Sequence, residues 1–291
     1  MATPSPFGPF ELKRGDSDKQ QTWGGHKRPN AGNHVTTLQE ALVAVDIPLS
    51  IIDGEFGPGT EQAVKMFQWC LTAHPYRRFN QALVTDTRNV TQAVNGRVDS
   101  QTASELERWL DQSYASTGDL VRLDSALLDH MEVGDGFRVL SHASVRDNDV
   151  VVASAAADLI TTANTKAGER SVQLVLNQAF RVNGVPVSGA VVTPATRSQH
   201  LIGHAIDCNI VDGNNWNNSR TFAAGRQTDG ATNLISDLKT AGYRWGGDFS
   251  NPDTPHFDKR LNPYGDAYGF KFFFNQRTIT NNLPIPLKNL E

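Results

Sequence analysis

The ten residues from Ser198 to Asp207 constrain this chain more than any other stretch. Ser198-Gln199-His200-Leu201-Ile202-Gly203-His204-Ala205-Ile206-Asp207 sets two histidines, a carboxylate, a hydroxyl and a turn-permitting glycine close together. Further on, Asp253-Thr254-Pro255-His256-Phe257-Asp258 brings the same chemistry again. The two segments are expected to meet around one zinc ion. A catalytic zinc takes three protein ligands from His and Asp/Glu and keeps a fourth position for water, whose pKa falls toward ~7. Between His200 and Asp207, Gly203 and Ala205 let the backbone bend and keep bulk off a metal. Ile206-Asp207-Cys208-Asn209-Ile210 alternates as a strand does, which puts Asp207 on the face opposite Ile206 and Cys208. A rival geometry exists, because His200 and His204 are spaced i, i+4 as on a zinc-binding helix. Leu201 stands where that motif needs Glu, however, and Gly203 weakens a helix there.

A length of 291 residues suggests two domains at ~100–200 residues each. The formal charge of −4 gives no electrostatic case for nucleic acid or an anionic membrane as partner. Cys70 and Cys208 each sit in a mostly apolar run without a second Cys at zinc-finger spacing, so both are expected to be buried free thiols. Residues 1–25 lack the apolar run of about seven or more residues that a secretory signal peptide needs. No stretch approaches the ~20 apolar residues of a membrane span. The expectation is synthesis in the cytoplasm without a signal peptide and no membrane insertion.

Residues 1–32 have no hydrophobic period and are expected to form an irregular lead-in. Val35, Leu38, Leu42 and Val45 then mark one face of a helix. A second helix carries Ala63, Val64, Phe67 and Leu71 after the turn Asp53-Gly54-Glu55-Phe56-Gly57-Pro58. Residues 71–94 are polar and aperiodic. A third helix carries Ala103, Leu106 and Leu110 behind an N-cap at Asp99 or Ser100. Residues 113–118 form the expected linker, and 120–145 support no assignment. Beyond Asp149, Val152, Ala156, Leu159 and Ala163 predict a helix stopped at Gly168. Ser171–Arg181 reads as a strand, joined through Asn183-Gly184 in a hairpin to Val185-Pro186-Val187. Leu234, Ile235, Leu238 and Ala241 predict a helix, and Tyr243-Arg244-Trp245 and His256-Phe257-Asp258 short strands. Mixed elements without βαβ alternation place the chain in the α+β class.

Two families are resembled. Val35-x-x-Leu38-Gln39-x-x-Leu42 with Asp53-Gly54-x-Phe56-Gly57-Pro58-x-Thr60-x-x-Ala63-Val64-x-x-Phe67-Gln68 resembles the three-helix peptidoglycan-binding domain of cell-wall hydrolases. Gly96-Arg97-Val98-Asp99-x-x-Thr102 resembles that family's second turn, and residues 71–94 are an insertion relative to it. Ser198-x-His200-x-x-Gly203-x-Ala205-x-Asp207 resembles the signature of the zinc D-Ala-D-Ala carboxypeptidase and L-alanyl-D-glutamate endopeptidase family, which includes VanY-type enzymes and phage endolysins. That family shares its fold with the hedgehog zinc domain. The implied layout is a helical peptidoglycan-binding domain at 33–112 and a zinc peptidase domain with a small antiparallel sheet at 119–291.

The resemblance implies that His200, Asp207 and His256 bind Zn2+ and that Asp253 polarises the attacking water. His204 falls at a variable position of the signature. Asp253 is shorter than the Glu alternative, so Asp248, in the similar loop Trp245-Gly246-Gly247-Asp248, is the runner-up base. Arg181 resembles the family's arginine that anchors a substrate carboxylate or steadies the oxyanion; a solvated strand-end arginine is the competing reading. Ser198 either hydrogen-bonds substrate or pins its own turn. Asp258 and Trp245 are expected to support the ligands and wall the pocket.

The implied activity is cleavage of peptidoglycan stem peptides, with peptidoglycan as partner. The ending Pro-His-Phe-Asp inclines toward L-Ala–D-Glu endopeptidases over D,D-carboxypeptidases or endopeptidases. Action at the cell wall would follow release as a phage endolysin, or contact-dependent injection as an effector with an immunity protein or export partner. The alternative is a wall-binding protein with a structural zinc, for which an acid at Asp253 would have no use.

Overall fold

The chain divides between Thr117 and Gly118 into two units. The computed structural model describes residues 6–29, 32–73, 76–80, 82–85, 90–186, 193 and 195–289.

Two glutamines organise the first unit. Helix α1 (His34–Ala44) presents Gln39, whose Oε1 accepts from the backbone N–H of Asp53 and Gly54 at 3.0 and 2.9 Å. Its Nε2 faces Asp53 Oδ1, the Glu55 carbonyl and Thr60 Oγ1. Helix α2 (Pro58–Ala73) presents Gln68 to the second turn in the same way. Gln68 Oε1 accepts from Asn95 and Gly96, while Nε2 faces Asn95 Oδ1, the Arg97 carbonyl and Thr102 Oγ1. The same arrangement thus occurs twice in the unit: a buried helix glutamine ties down the next glycine turn. Such a fully used amide satisfies turn groups that would be costly to bury unpaired. Helix α3 (Ser100–Asp111) completes the bundle, with Asp99 as N-cap accepting from Thr102 N. Its inward apolar residues are Ala103, Leu106 and Trp109; Leu110 is only half-buried.

The lead-in expectation is corrected. Phe7, Leu12 and Trp23 are fully buried, and Thr22–Trp23 (β1) pairs with His26–Lys27 (β2). Asp18 accepts from the first backbone N–H groups of α1 at Val35 and Thr36, satisfying donors that a helix start leaves open. The linker expectation is corrected as well. Tyr114 N bonds the Trp109 carbonyl and Ser116 Oγ the Asp46 carbonyl, so residues up to 117 pack into the first unit. The described part of the insertion forms an antiparallel hairpin, β3 (Tyr76–Phe79) with β4 (Ala82–Thr85).

In the second unit, β5 (Leu120–Asp124) pairs antiparallel with β7 (Asp149–Ala153), and β6 (Met131–Val133) lies between them in sequence. The helix expected from Asp149 begins only at Ala157 as α4 (Ala157–Glu169). The β-branched run Val150-Val151-Val152 favours a fully buried strand over a helix. Strand β8 (Gln173–Gln178) leads to Asn183-Gly184, which forms a turn without strand pairing in the described residues; Val187 lies outside them. Then come β9 (Ala205–Asp212), β10 (Asn215–Asn217), α5 (Ser219–Ala223), α6 (Asp229–Thr240), β11 (Arg244–Trp245), β12 (His256–Asp258) and α7 (Asp266–Thr280). The main sheet has the order β11-β12-β9-β8-β6, with β10 on the second half of β9. All its pairings are antiparallel except β6–β8.

The sheet separates core from chemistry. Leu174, Leu176, Ile206, Cys208, Ile210 and Phe257 pack with α4 and α6 in one apolar cluster. Burying each large side chain contributes about 1.5–3 kcal/mol, and that side of the sheet fixes the register. Strand alternation then turns Asp207, His256 and Asp258 to the opposite face. Both cysteines are buried, and among the described residues neither forms a disulfide.

Candidate active site

Asp207 and His256 are directly opposite one another on β9 and β12, flanked by the core pair Ile206 and Phe257. Directly opposed residues bring their Cβ atoms within ~5.5 Å, so pairing alone sets the two side chains side by side. His200 arrives from a 3-10 turn, Gln199–Ile202. Ser198 caps that turn, its Oγ accepting from His200 N at 3.3 Å. Gly203 ends it at φ +75°, where a Cβ would stand 2.5 Å from Ala153 N. Glycine is needed there for both the left-handed backbone and the close approach.

Three ligand atoms converge. His200 Nε2, Asp207 Oδ1 and His256 Nδ1 form a triangle with every edge 3.1 Å. The far nitrogens of both rings have other acceptors. His200 Nδ1 donates to the Ala179 carbonyl at 2.7 Å, and His256 Nε2 to Asp258 Oδ2 at 3.0 Å. With those N–H groups committed, each ring in its neutral form has its remaining lone pair at the nitrogen beside Asp207 Oδ1. Three lone pairs facing one point suit a cation. A tetrahedral zinc with ligands at ~2.0–2.1 Å separates its ligand atoms by ~3.3 Å, close to the observed edges. Among the described residues, His200, Asp207 and His256 are grouped as a set able to hold a metal ion.

The surroundings tune this set. Burial would raise the Asp207 pKa, but the charges and hydrogen bonds of His200 and His256 hold it well below the usual carboxylate range. Burial opposes protonation of His256, yet hydrogen bonds from its ring to the Asp207 and Asp258 carboxylates, with their negative charges, raise its pKa to about 9. Asp258 is itself gripped by Arg244 at 2.8 and 2.5 Å. This carboxylate–histidine pairing orients the ring, as outer partners of metal ligands do.

Asp253 lines the same cleft, a cavity of about 600 Å³ that also exposes His200, Asp207 and His256. Its backbone N–H bonds the Gly246 carbonyl at 2.9 Å, and a Cβ on Gly246 would collide with the Asp253 carbonyl. Burial, then the negative charge of Asp207, raises the Asp253 pKa; His256 and His200 partly offset this. Trp245 steadies the segment by donating Nε1–H to the Thr254 carbonyl. Asp248 is elsewhere. It is half exposed, forms an ion pair with Lys239 at 2.6 Å and does not line the cleft.

Arg181 and Ser198 line the cleft. The Arg181 backbone N–H bonds the His200 carbonyl, and burial lowers the guanidinium pKa against the pull of Asp207. His204 is turned away from the triangle. Its Nδ1 donates to the Lys259 carbonyl, Nε2 has no partner among the described residues, and burial followed by the Lys271 charge lowers its pKa. Sequence reasoning passed over the elements that hold the signature in place. Helix α7 bonds four features of this region through side chains. Tyr268 reaches the Ser198 carbonyl, Gln276 the Leu201 and Arg181 carbonyls, and Asn275 the Ile202 carbonyl. A Lys271–Asp119 ion pair is buried behind them. The aromatic run Tyr268–Phe274 was the available signal for α7, but its buried face is largely polar and carries no amphipathic pattern.

Residues 192–259 match the family model described as D-alanyl-D-alanine carboxypeptidase, a span holding His200, Asp207, Asp253 and His256. Residues 31–69 match the model described as a peptidoglycan binding domain, covering α1 and most of α2. No curated protein matches the chain. A peptidoglycan-binding domain thus precedes a carboxypeptidase-type peptidase domain, in agreement with the motif resemblances.

Proposed function

We propose that the chain is a zinc metallopeptidase that hydrolyses stem-peptide bonds of bacterial peptidoglycan. The observation that carries this is the triangle of lone pairs on His200, Asp207 and His256 opening into a cleft that also holds Asp253. A structural site would be closed, with four protein ligands. Zinc, when bound, supplies the Lewis acidity that activates water and polarises the scissile carbonyl. The chain's own residues do the rest. Asp253 accepts a proton from the attacking water on its carboxylate and returns it to the leaving amine nitrogen. Its raised pKa suits that exchange. Arg181 presents a guanidinium to a substrate carboxylate or to the developing oxyanion. Ser198 acts through the turn that aims His200.

Among the alternative bonds we favour L-Ala–D-Glu, on the resemblance of the Pro255–Asp258 ending. The peptidoglycan-binding domain supports action at the cell wall, reached by phage-type release or by injection as an antibacterial effector. Among the described residues no helix is long and apolar enough to cross a membrane. The test is digestion of purified peptidoglycan by zinc-loaded protein, with mass spectrometry of the soluble fragments. New amino termini at one stem-peptide bond are expected, and their position separates the three specificities. Stoichiometric zinc without any cleavage overturns the reading.

A further inference from the structure

The cleft wall carries more positive charge than the proposed chemistry uses. Arg181, Arg197 and Arg260 all line it, in a chain whose net charge is −4. Asp207 faces the two histidines, and Asp258 is taken by Arg244 and His256. Among the described residues no carboxylate pairs with Arg181, Arg197 or Arg260.

These arginines are placed by three different segments. Arg181 follows β8 and is tied to the His200 carbonyl. Arg197 and Arg260 flank the metal-ligand turn from another direction, on segments bonded to each other. Gln199 clamps the strap at Leu261 twice, donating to its carbonyl at 2.8 Å and accepting from its N–H at 3.0 Å. Arg197 Nη1 donates to the Pro263 carbonyl at 3.0 Å, and its guanidinium lies 4.8 Å from the ring centroid of exposed Tyr264. Stacking and a backbone anchor hold the Arg197 fork in place before any ligand arrives, which lowers the ordering cost of binding. The Lys259 N–H bonds the His204 carbonyl at the start of the same strap, which carries Arg260.

We propose that Arg197 and Arg260 form a second carboxylate subsite, so that with Arg181 the cleft selects peptides bearing two free carboxylates. The proposal rests on the peptidase reading and names the substrate feature that the site recognises. A charge-assisted guanidinium–carboxylate contact of this kind is worth about 10- to 100-fold in affinity.

The test uses full-length protein and stem peptides in which each free carboxylate is converted singly to its amide. Binding is read by calorimetry on zinc-loaded Asp253→Asn, and cleavage on the otherwise wild-type protein. Two different amidations should each weaken binding and raise KM by about tenfold or more, with kcat little changed. One penalty should vanish in Arg181→Gln and the other in Arg197→Gln/Arg260→Gln. Arg260→Gln alone, which removes no intramolecular hydrogen bond, should reduce the second penalty with an unaltered melting temperature. A single sensitive carboxylate, or equal penalties in wild type and the double variant, overturns the proposal. If no peptide is cleaved but the two binding penalties persist, the peptidase reading fails and the carboxylate subsites stand.

Discussion

At the scale of single residues, the proposed chemistry separates holding a metal from moving a proton. Asp253 touches the candidate metal set through its backbone, its carbonyl accepting from the His256 N–H at 3.0 Å, a bond that alanine keeps. Asp253→Ala should therefore keep one zinc per chain while losing about 10²–10⁴-fold in kcat, the usual share of a general acid–base. His256→Ala should lose both, by metal analysis and by peptide cleavage. Full activity in Asp253→Ala would move the base elsewhere. His256 also makes metal binding depend on pH. Without metal its pKa is about 9, against ~6.5 for an unperturbed histidine. A proton must leave before its Nδ1 can bind a cation, so zinc affinity should rise with pH up to about 9. This one group contributes about tenfold per pH unit below that value. The same shift stabilises the metal-free fold below pH ~6.5 and is lost as pH rises through about 9. Competition titration with a chelator at several pH values checks the first effect, and thermal melts of metal-free protein check the second. A flat affinity between pH 6 and 9 would remove His256 from the ligand set.

At the scale of elements, the site is a junction of a strand pair and a capped turn. Strand pairing places Asp207 opposite His256 whatever else surrounds them. The turn carrying His200 depends instead on Gly203, on Ser198 and on the side chains of α7. Gly203→Ala adds a Cβ against Ala153 N and forces a left-handed residue, which costs about 1–2 kcal/mol from the backbone alone. The clash adds to that cost. The variant should melt at lower temperature, and zinc affinity should fall because His200 is displaced. An unchanged melting temperature would show that the turn adapts.

At the scale of the whole molecule, the chain divides at Thr117/Gly118 into two compact units, and the proposed function assigns attachment to the first and chemistry to the second. Residues 118–291 contain the metal set, Asp253 and their own apolar core. Expressed alone, they should bind zinc and cleave soluble stem peptide at a kcat/KM near that of the full chain. They should lose most co-sedimentation with insoluble peptidoglycan, which residues 1–117 should retain. Equal sedimentation of both pieces would place wall binding outside the first unit.

Local sequence patterns determined much of this protein. Capping at Asp99, the Ile206–Ile210 alternation and the glycine turns depend on residues near one another in the chain, so they survive translation from sequence to structure. The α+β class and the grouping of His200, Asp207 and His256 were legible through such motifs. Other features were not. Val150–Val152 read as part of a helix because its strand character depends on pairing with β5, twenty-five residues and more away. The lead-in read as irregular because Leu12 and Trp23 are buried by partners from the later helices and turns, not by a period of their own. Helix α7 escaped because its inward face mixes Phe270 and Phe274 with Tyr268, Lys271, Asn275 and Gln276, whose partners are carbonyls of distant segments and, for Lys271, the Asp119 carboxylate. The choice between Asp253 and Asp248 was likewise tertiary. The acids are five positions apart, and only the fold sends one into the cleft and the other to Lys239 at the surface. Sequence supplied the candidate ligands, through a signature that resembles a known family. Only tertiary structure decided their hydrogen-bond partners, which acid lines the cleft and which arginines surround it, because those depend on pairing and burial supplied by residues far away in the chain.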